Sequence, residues 1–246
     1  TAGTFPLETA LGLAVLSRVG IPVSLRSAGE PLSRLREKLG DIVHVGWPSL
    51  LERVLYHAGF LSYVAIIGHL GDAVMAGNQA LISVESICFL SADGFGIAAA
   101  SLVAQKLGAR RPEEARRAAR IAARDAALAL TTLGLVVLAA RHAILPIFAK
   151  DAAVVDVGLS AVPVLALAQP FMAIAIVLGQ ALRGAARTRT ALLISLVGAV
   201  CVRISATWFF AIDLHLGLRG VWLGSTCDWI VRAGLVLVAS RLIARR

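Results

Sequence analysis

Apolar residues along this chain fall in long unbroken runs, not in the short alternating or one-sided patterns of soluble elements. Six runs, at residues 46–68, 80–104, 126–148, 158–182, 191–212 and 220–240, each reach the roughly 20 residues needed to cross the hydrocarbon core of a bilayer. All six are too long for barrel strands and show no period-two alternation, so they predict helices, whose backbone polar groups satisfy one another inside the membrane. A seventh run, residues 9–25, is shorter and is broken by Arg18, Gly20 and Pro22. It reads as the tail of a preceding helix. The expected organisation is therefore a helix tail at residues 1–25, a polar connection at 26–44, and a bundle of six transmembrane helices at 45–246. The fold class is all-α integral membrane.

Composition agrees with this. Of the 246 residues, 58% are apolar and 16% charged, against about a quarter charged in soluble domains, and the mean hydropathy is +0.82. Disorder is excluded, and a soluble enzyme is not expected. A net charge of +9 would ordinarily suggest nucleic acid, but its distribution argues otherwise. If residues 26–44 are cytoplasmic, seventeen Lys and Arg fall in connections on that side and only Lys150 and Arg219 on the other. That asymmetry is the positive-inside pattern, consistent at every crossing. Arg18, Arg53, Arg141, Arg203 and Arg232 lie within or near spans. The positive charge is read as a topology signal, with the bilayer as partner and no nucleic acid.

The connection 105–124 has its own logic. Gly108 closes one helix, and Pro112-Glu113-Glu114 opens the next with a proline and two carboxylates, as a helix start prefers. The arginines that follow sit where anionic headgroups attract them. Cys88, Cys201 and Cys227 all lie in apolar runs and match neither a disulfide framework nor zinc spacing. Core packing is the expected role of each, and no metal site is assigned. The chain opens on Thr1, and residues 1–8 hold no Lys or Arg, so no secretory signal is assigned.

Several motifs carry a family likeness. The run Gly96-Ile97-Ala98-Ala99-Ala100-Ser101-Leu102-Val103-Ala104-Gln105 and the following Leu107-Gly108-Ala109-Arg110-Arg111-Pro112 resemble the small-residue helix end and Leu-Gly-Ala-Gly-Arg-Pro loop of the multidrug and toxic compound extrusion (MATE) transporters. Gly46-Trp47-Pro48 with Glu52 resembles that family's seventh helix, with Pro and Glu four residues apart. Leu182-Arg183-Gly184 with Thr188 and Arg189 is similar to the loop after its tenth helix, and Gly217–Trp222 to the start of its twelfth. The resemblance covers residues 45–246. It implies the C-terminal lobe of a two-lobe transporter, whose N-terminal lobe is missing from this chain.

Ionisable groups inside a membrane are costly and usually face a bundle interior, so they rank first as candidates. Pro48, Glu52, Tyr56, Gly59 and Tyr63 form one stripe at 100° per residue. Pro48 is the expected kink, since proline frees a backbone carbonyl. The resemblance implies that Glu52 couples transport to a cation or proton. Glu85 is a second candidate, with Asn78 seven residues earlier on the same face. Asp93, about 80° further round, is a third, and the family assigns it no role. Tyr56, Asn78, Gln169 and Gln180 are expected to line a cavity; the two glutamines, eleven residues apart, share a helix face. Arg203 and Asp228 are a possible structural pair across the last two helices, and Arg53 with His57 reads as interfacial.

Sodium-coupled members that pair the seventh-helix Glu with a tenth-helix Asp would carry that Asp near Met172, and residues 158–182 contain no acid. Proton coupling through Glu52, with Glu85, is therefore favoured over sodium. The implied function is secondary efflux of amphipathic, often cationic, drug-like molecules across the plasma or inner membrane, without a cofactor beyond the coupling ion. Two alternatives stand beside it: a lipid-linked oligosaccharide flippase of the same superfamily, whose cavity would be cationic, and a membrane structural fragment without transport. An enzyme is not expected, because no nucleophile motif, metal cluster or phosphate loop occurs.

Overall fold

The computed structural model describes Val54 and residues 57–244, and every structural statement below concerns these residues. Pro48, Glu52, Arg53 and Tyr56, with the 9–25 run and the 26–44 connection, lie outside them. The first described helix, α1, is His57–Gly68. There follow α2 (Asp72–Gly108), α3 (Pro112–Ala139), the short α4 (Arg141–Phe148) and α5 (Ala152–Gly184). A composite helix α6 (Thr188–Asp213) and α7 (Gly217–Ala239), extended by a 3-10 turn Ser240–Ile243, complete the described helices. Five of these, α2, α3, α5, α6 and α7, are long and apolar enough to cross a membrane. The described residues form a polytopic all-α membrane bundle.

α5 is the central helix and packs against α2, α3 and α7. Within their most apolar stretches, 56% of α5 and of α7 is buried, against 28% of α2 and α3 and 17% of α6. Large apolar side chains such as Leu90, Leu128, Leu193 and Val238 are exposed on the outside. A lipid-facing surface requires that arrangement; a water-facing one would forbid it. Inside, small residues let the helices close up, as expected where the bilayer supplies no hydrophobic driving force between them. Ala115, Ala119, Ala123 and Ala126 run down the buried face of α3. A Cβ on Gly184 would strike the backbone of Ala100, and one on Gly220 would lie 2.5 Å from the backbone of Phe210.

One span departs from expectation. The run 126–148 is divided between two helices, α3 and α4. The break is at Ala140 (φ −93°, ψ 11°), where the Arg141 guanidinium donates to the Leu138 carbonyl at 3.1 Å and so satisfies one of the orphaned carbonyls of the helix end. The start is as expected: Pro112 occupies the first turn with Glu113 and Glu114. Glu114 receives Lys106 at 2.6 Å across the connection, and Arg116 pairs with Glu113 at 3.0 Å. The cysteines do not behave alike. Cys88 is buried as expected, but Cys201 is exposed and Cys227 half-buried, because an apolar run in a membrane helix has a lipid face as well as a core face.

Two connections share one geometry. Arg110 (φ 60°) and Ala186 (φ 58°) are left-handed. At the first, Arg110 N–H donates to Leu107 and Arg111 N–H to Lys106; at the second, Ala186 donates to Arg183 and Arg187 to Leu182. Both are Schellman closures, in which the residue after the cap turns left-handed and the next amide reaches back across the last turn.

Candidate functional site

The most concentrated polar chemistry lies where α6 and α7 meet. Asp228, on α7, is fully buried, and a lone carboxylate there would be prohibitively costly. Two arginines satisfy it. Arg232, one turn along the same helix, donates Nε to Oδ1 at 2.6 Å and Nη2 to Oδ2. Arg203, from α6, donates Nε at 2.9 Å and Nη2 at 2.8 Å, both to Oδ2. The expected Arg203–Asp228 pair is thus present, but as part of a cluster that includes Arg232. Arg232 was not anticipated, although its spacing of four residues from Asp228 is the helix-neighbour spacing that pairs charges.

Aromatic rings enclose the cluster. The Arg232 guanidinium carbon is 3.9 Å from the centroid of Trp229; that of Arg203 is 5.6 Å from Trp229 and 5.7 Å from Tyr63 of α1. All three lie within reach of a cation–π attraction. The backbone makes room at Gly198, where a Cβ would meet Asp228 Oδ1 and would lie 2.6 Å from Arg232 Cδ. α6 is irregular here. Arg203–Trp208 is α-helical, but π-helical segments Val197–Val202 and Phe209–Asp213 flank it, and such segments recur at functional sites.

Glu85, on α2, faces this cluster electrostatically: Arg203, Arg232 and Asp228 all act on it, and it acts on Tyr63. Its Oε1 is buried and has no hydrogen-bond partner among the described residues. Asn78, two turns earlier, is also buried, with Oδ1 likewise unpartnered.

Asp93 has a partner the sequence did not supply. Gln180 of α5 donates Nε2 to Asp93 Oδ1 at 2.9 Å, with the Gln180 stem lying over Gly96, where a Cβ would be 2.8 Å away. Two residues expected in different roles therefore form one α2–α5 link. Gln169 goes elsewhere. It is fully buried against Gly134 of α3, and its Nε2 donates to the Leu165 carbonyl at 3.0 Å. The two glutamines share a nominal helix face but not a common surround, because eleven residues separate them by about 16 Å along the axis and different helices cover each end. His57 is exposed on α1.

Comparison with known proteins places this architecture. The MatE family profile matches residues 48–209. A probable multidrug resistance protein NorM of Bradyrhizobium diazoefficiens is 29% identical over 84% of this chain and 45% of its own length. One of the same description from Thermotoga maritima is 27% identical over 80% and 43%. The crystal structure of a eukaryotic MATE transporter, AtDTX14, superposes with a TM-score of 0.76 and 26% identity, covering 96% of this chain and 55% of that one. The chain spans less than half the length of these two curated relatives. With the profile matching well over half of the chain, the chain belongs to the MATE family, whose members are membrane transporters and not enzymes.

Proposed function

We propose that this chain is the C-terminal lobe of a proton-coupled multidrug efflux antiporter that exports amphipathic, often cationic, compounds. The observation that carries the reading is the buried, unpartnered Oε1 of Glu85 inside a membrane helix. A carboxylate oxygen held there without a hydrogen bond has reason to bind a proton or a cation, since an intramembrane ionisable group is otherwise a liability. Glu52 is the other coupling carboxylate, and the first candidate by family resemblance. Protonation removes charge and favours one arrangement of the lobe, a cationic substrate favours the other, and inward proton flow then drives export. Pro48 supplies the kink, and Tyr56 and Asn78 line the substrate path.

Proton is favoured over sodium because Met172, at the place of the family's tenth-helix acid, is fully buried among apolar neighbours and offers sodium no oxygen ligand. Asp93 and Gln180 act together as a polar link between α2 and α5, and the basic connections lie on the cytoplasmic side of an inner or plasma membrane. The coverage of less than half of the NorM relatives supports an N-terminal lobe in the complete polypeptide. The test is drug export by that two-lobe protein carrying Glu52→Gln or Glu85→Gln. Loss of export, or of its pH dependence, is expected; export with an unchanged pH profile in both variants would overturn the reading.

A further inference from the structure

Arg203 and Arg232 hold the same carboxylate, but they are not equivalent. Arg232 is bound to Asp228 within one turn of α7, so its pairing is local and persists wherever that helix goes. Arg203 arrives from another helix. Its side chain is 18% exposed, it lines a recess with Gly59, Phe60, Tyr63 and Ala199, and π-helical turns flank its short helical segment. Relaxing one π turn to α geometry shifts the register by a residue and turns the segment by about 100°. That rotation would carry Arg203 out of its seat while Arg232 stays.

The seat itself has the make-up of an organic-cation receptor. It offers the faces of Tyr63 and Trp229, the Asp228 carboxylate and, acting at longer range, Glu85. Aromatic faces joined to carboxylates are how proteins bind weakly hydrated organic cations, and a guanidinium is itself such a cation, planar and poorly hydrated. We infer that Arg203 is a built-in ligand: its guanidinium occupies a site that an external organic monocation takes when Arg203 swings out. The inference rests on the reading that this lobe handles organic cations, and it adds where one would sit and what it must displace.

The test is ethidium binding to the purified chain in detergent, followed by ethidium fluorescence. Arg203→Gln and Arg203→Met remove the competing charge and leave Asp228 paired with Arg232; either is expected to bind ethidium about tenfold more tightly than wild type, equivalent to about 1.4 kcal/mol. Arg203→Lys keeps a cation in the seat and should bind as wild type does. Adding Asp228→Asn to Arg203→Gln should cancel the gain. On wild-type protein, which decides the matter if both charge-free variants unfold, saturating ethidium should quench the emission component that Trp229→Phe removes. Equal or weaker binding by the charge-free variants, binding by Arg203→Lys as tight as theirs, an unmoved Trp229 signal, or no ethidium binding at all would each overturn the inference. A chain that passes these tests while the two-lobe protein exports nothing would contradict the transport reading alone.

Discussion

Gly198 of α6 lies directly against Asp228 of α7, so closely that a single added methyl would overlap the carboxylate oxygen and crowd the Arg232 stem. The buried ion cluster therefore depends on the absence of a side chain one helix away. Gly198→Ala is expected to lower stability by about 1–3 kcal/mol, the usual cost of overpacking. Gly94→Ala is the control, because nothing lies within 4 Å of its added Cβ, and alanine is the better helix former. Thermal unfolding in detergent should show a clear drop for the first and none for the second.

The left-handed turns make the opposite prediction. The MATE loop that Leu107–Pro112 resembles has glycine where this chain has Arg110, and Arg110 adopts φ 60° all the same. An L side chain in that conformation costs about 1–2 kcal/mol. Arg110→Gly and Ala186→Gly should each raise the unfolding midpoint, by a net gain of up to about 1 kcal/mol after glycine's own entropic cost. The effects should add, since the turns are separate. A fall in midpoint for both would mean the side chains contribute contacts that outweigh the strain.

The Asp93–Gln180 bond is the sole hydrogen bond between α2 and α5 side chains among those described. A double-mutant cycle with Asp93→Ala and Gln180→Ala measures it. A hydrogen bond to a charged group is worth about 1.5–3 kcal/mol, and a neutral one about 1 kcal/mol. A coupling of at least about 1 kcal/mol is expected, and one near zero would mean that Gln180 is not the effective partner of Asp93.

How much of this was legible in the chain follows from which physical signals are one-dimensional. The apolar runs fixed the long helices, because bilayer thickness sets a length that a sequence must meet. Pro112 with Glu113 and Glu114 marked a helix start by local chemistry alone. The break at Ala140 was hidden, since no glycine or proline stands there and the Arg141 cap becomes visible only in three dimensions. Pairings across helices were the hardest. Arg203–Asp228 could be guessed from two opposite charges in adjacent spans, whereas Asp93 with Gln180, and Glu85 under the influence of Arg203, depend on which faces the helices turn to one another. Arg232 was within reach: Asp228 and Arg232 are four residues apart, with Trp229 between them.

The account as a whole is tested most directly by imposing proton and sodium gradients separately on vesicles that contain the complete two-lobe protein, and following uptake of a fluorescent cationic drug. Drug uptake is expected from an outward proton gradient alone, with no response to a sodium gradient alone and loss of the proton response in Glu85→Gln. Transport driven by sodium with no proton gradient, or a proton-driven response untouched by Glu85→Gln and Glu52→Gln, would contradict it.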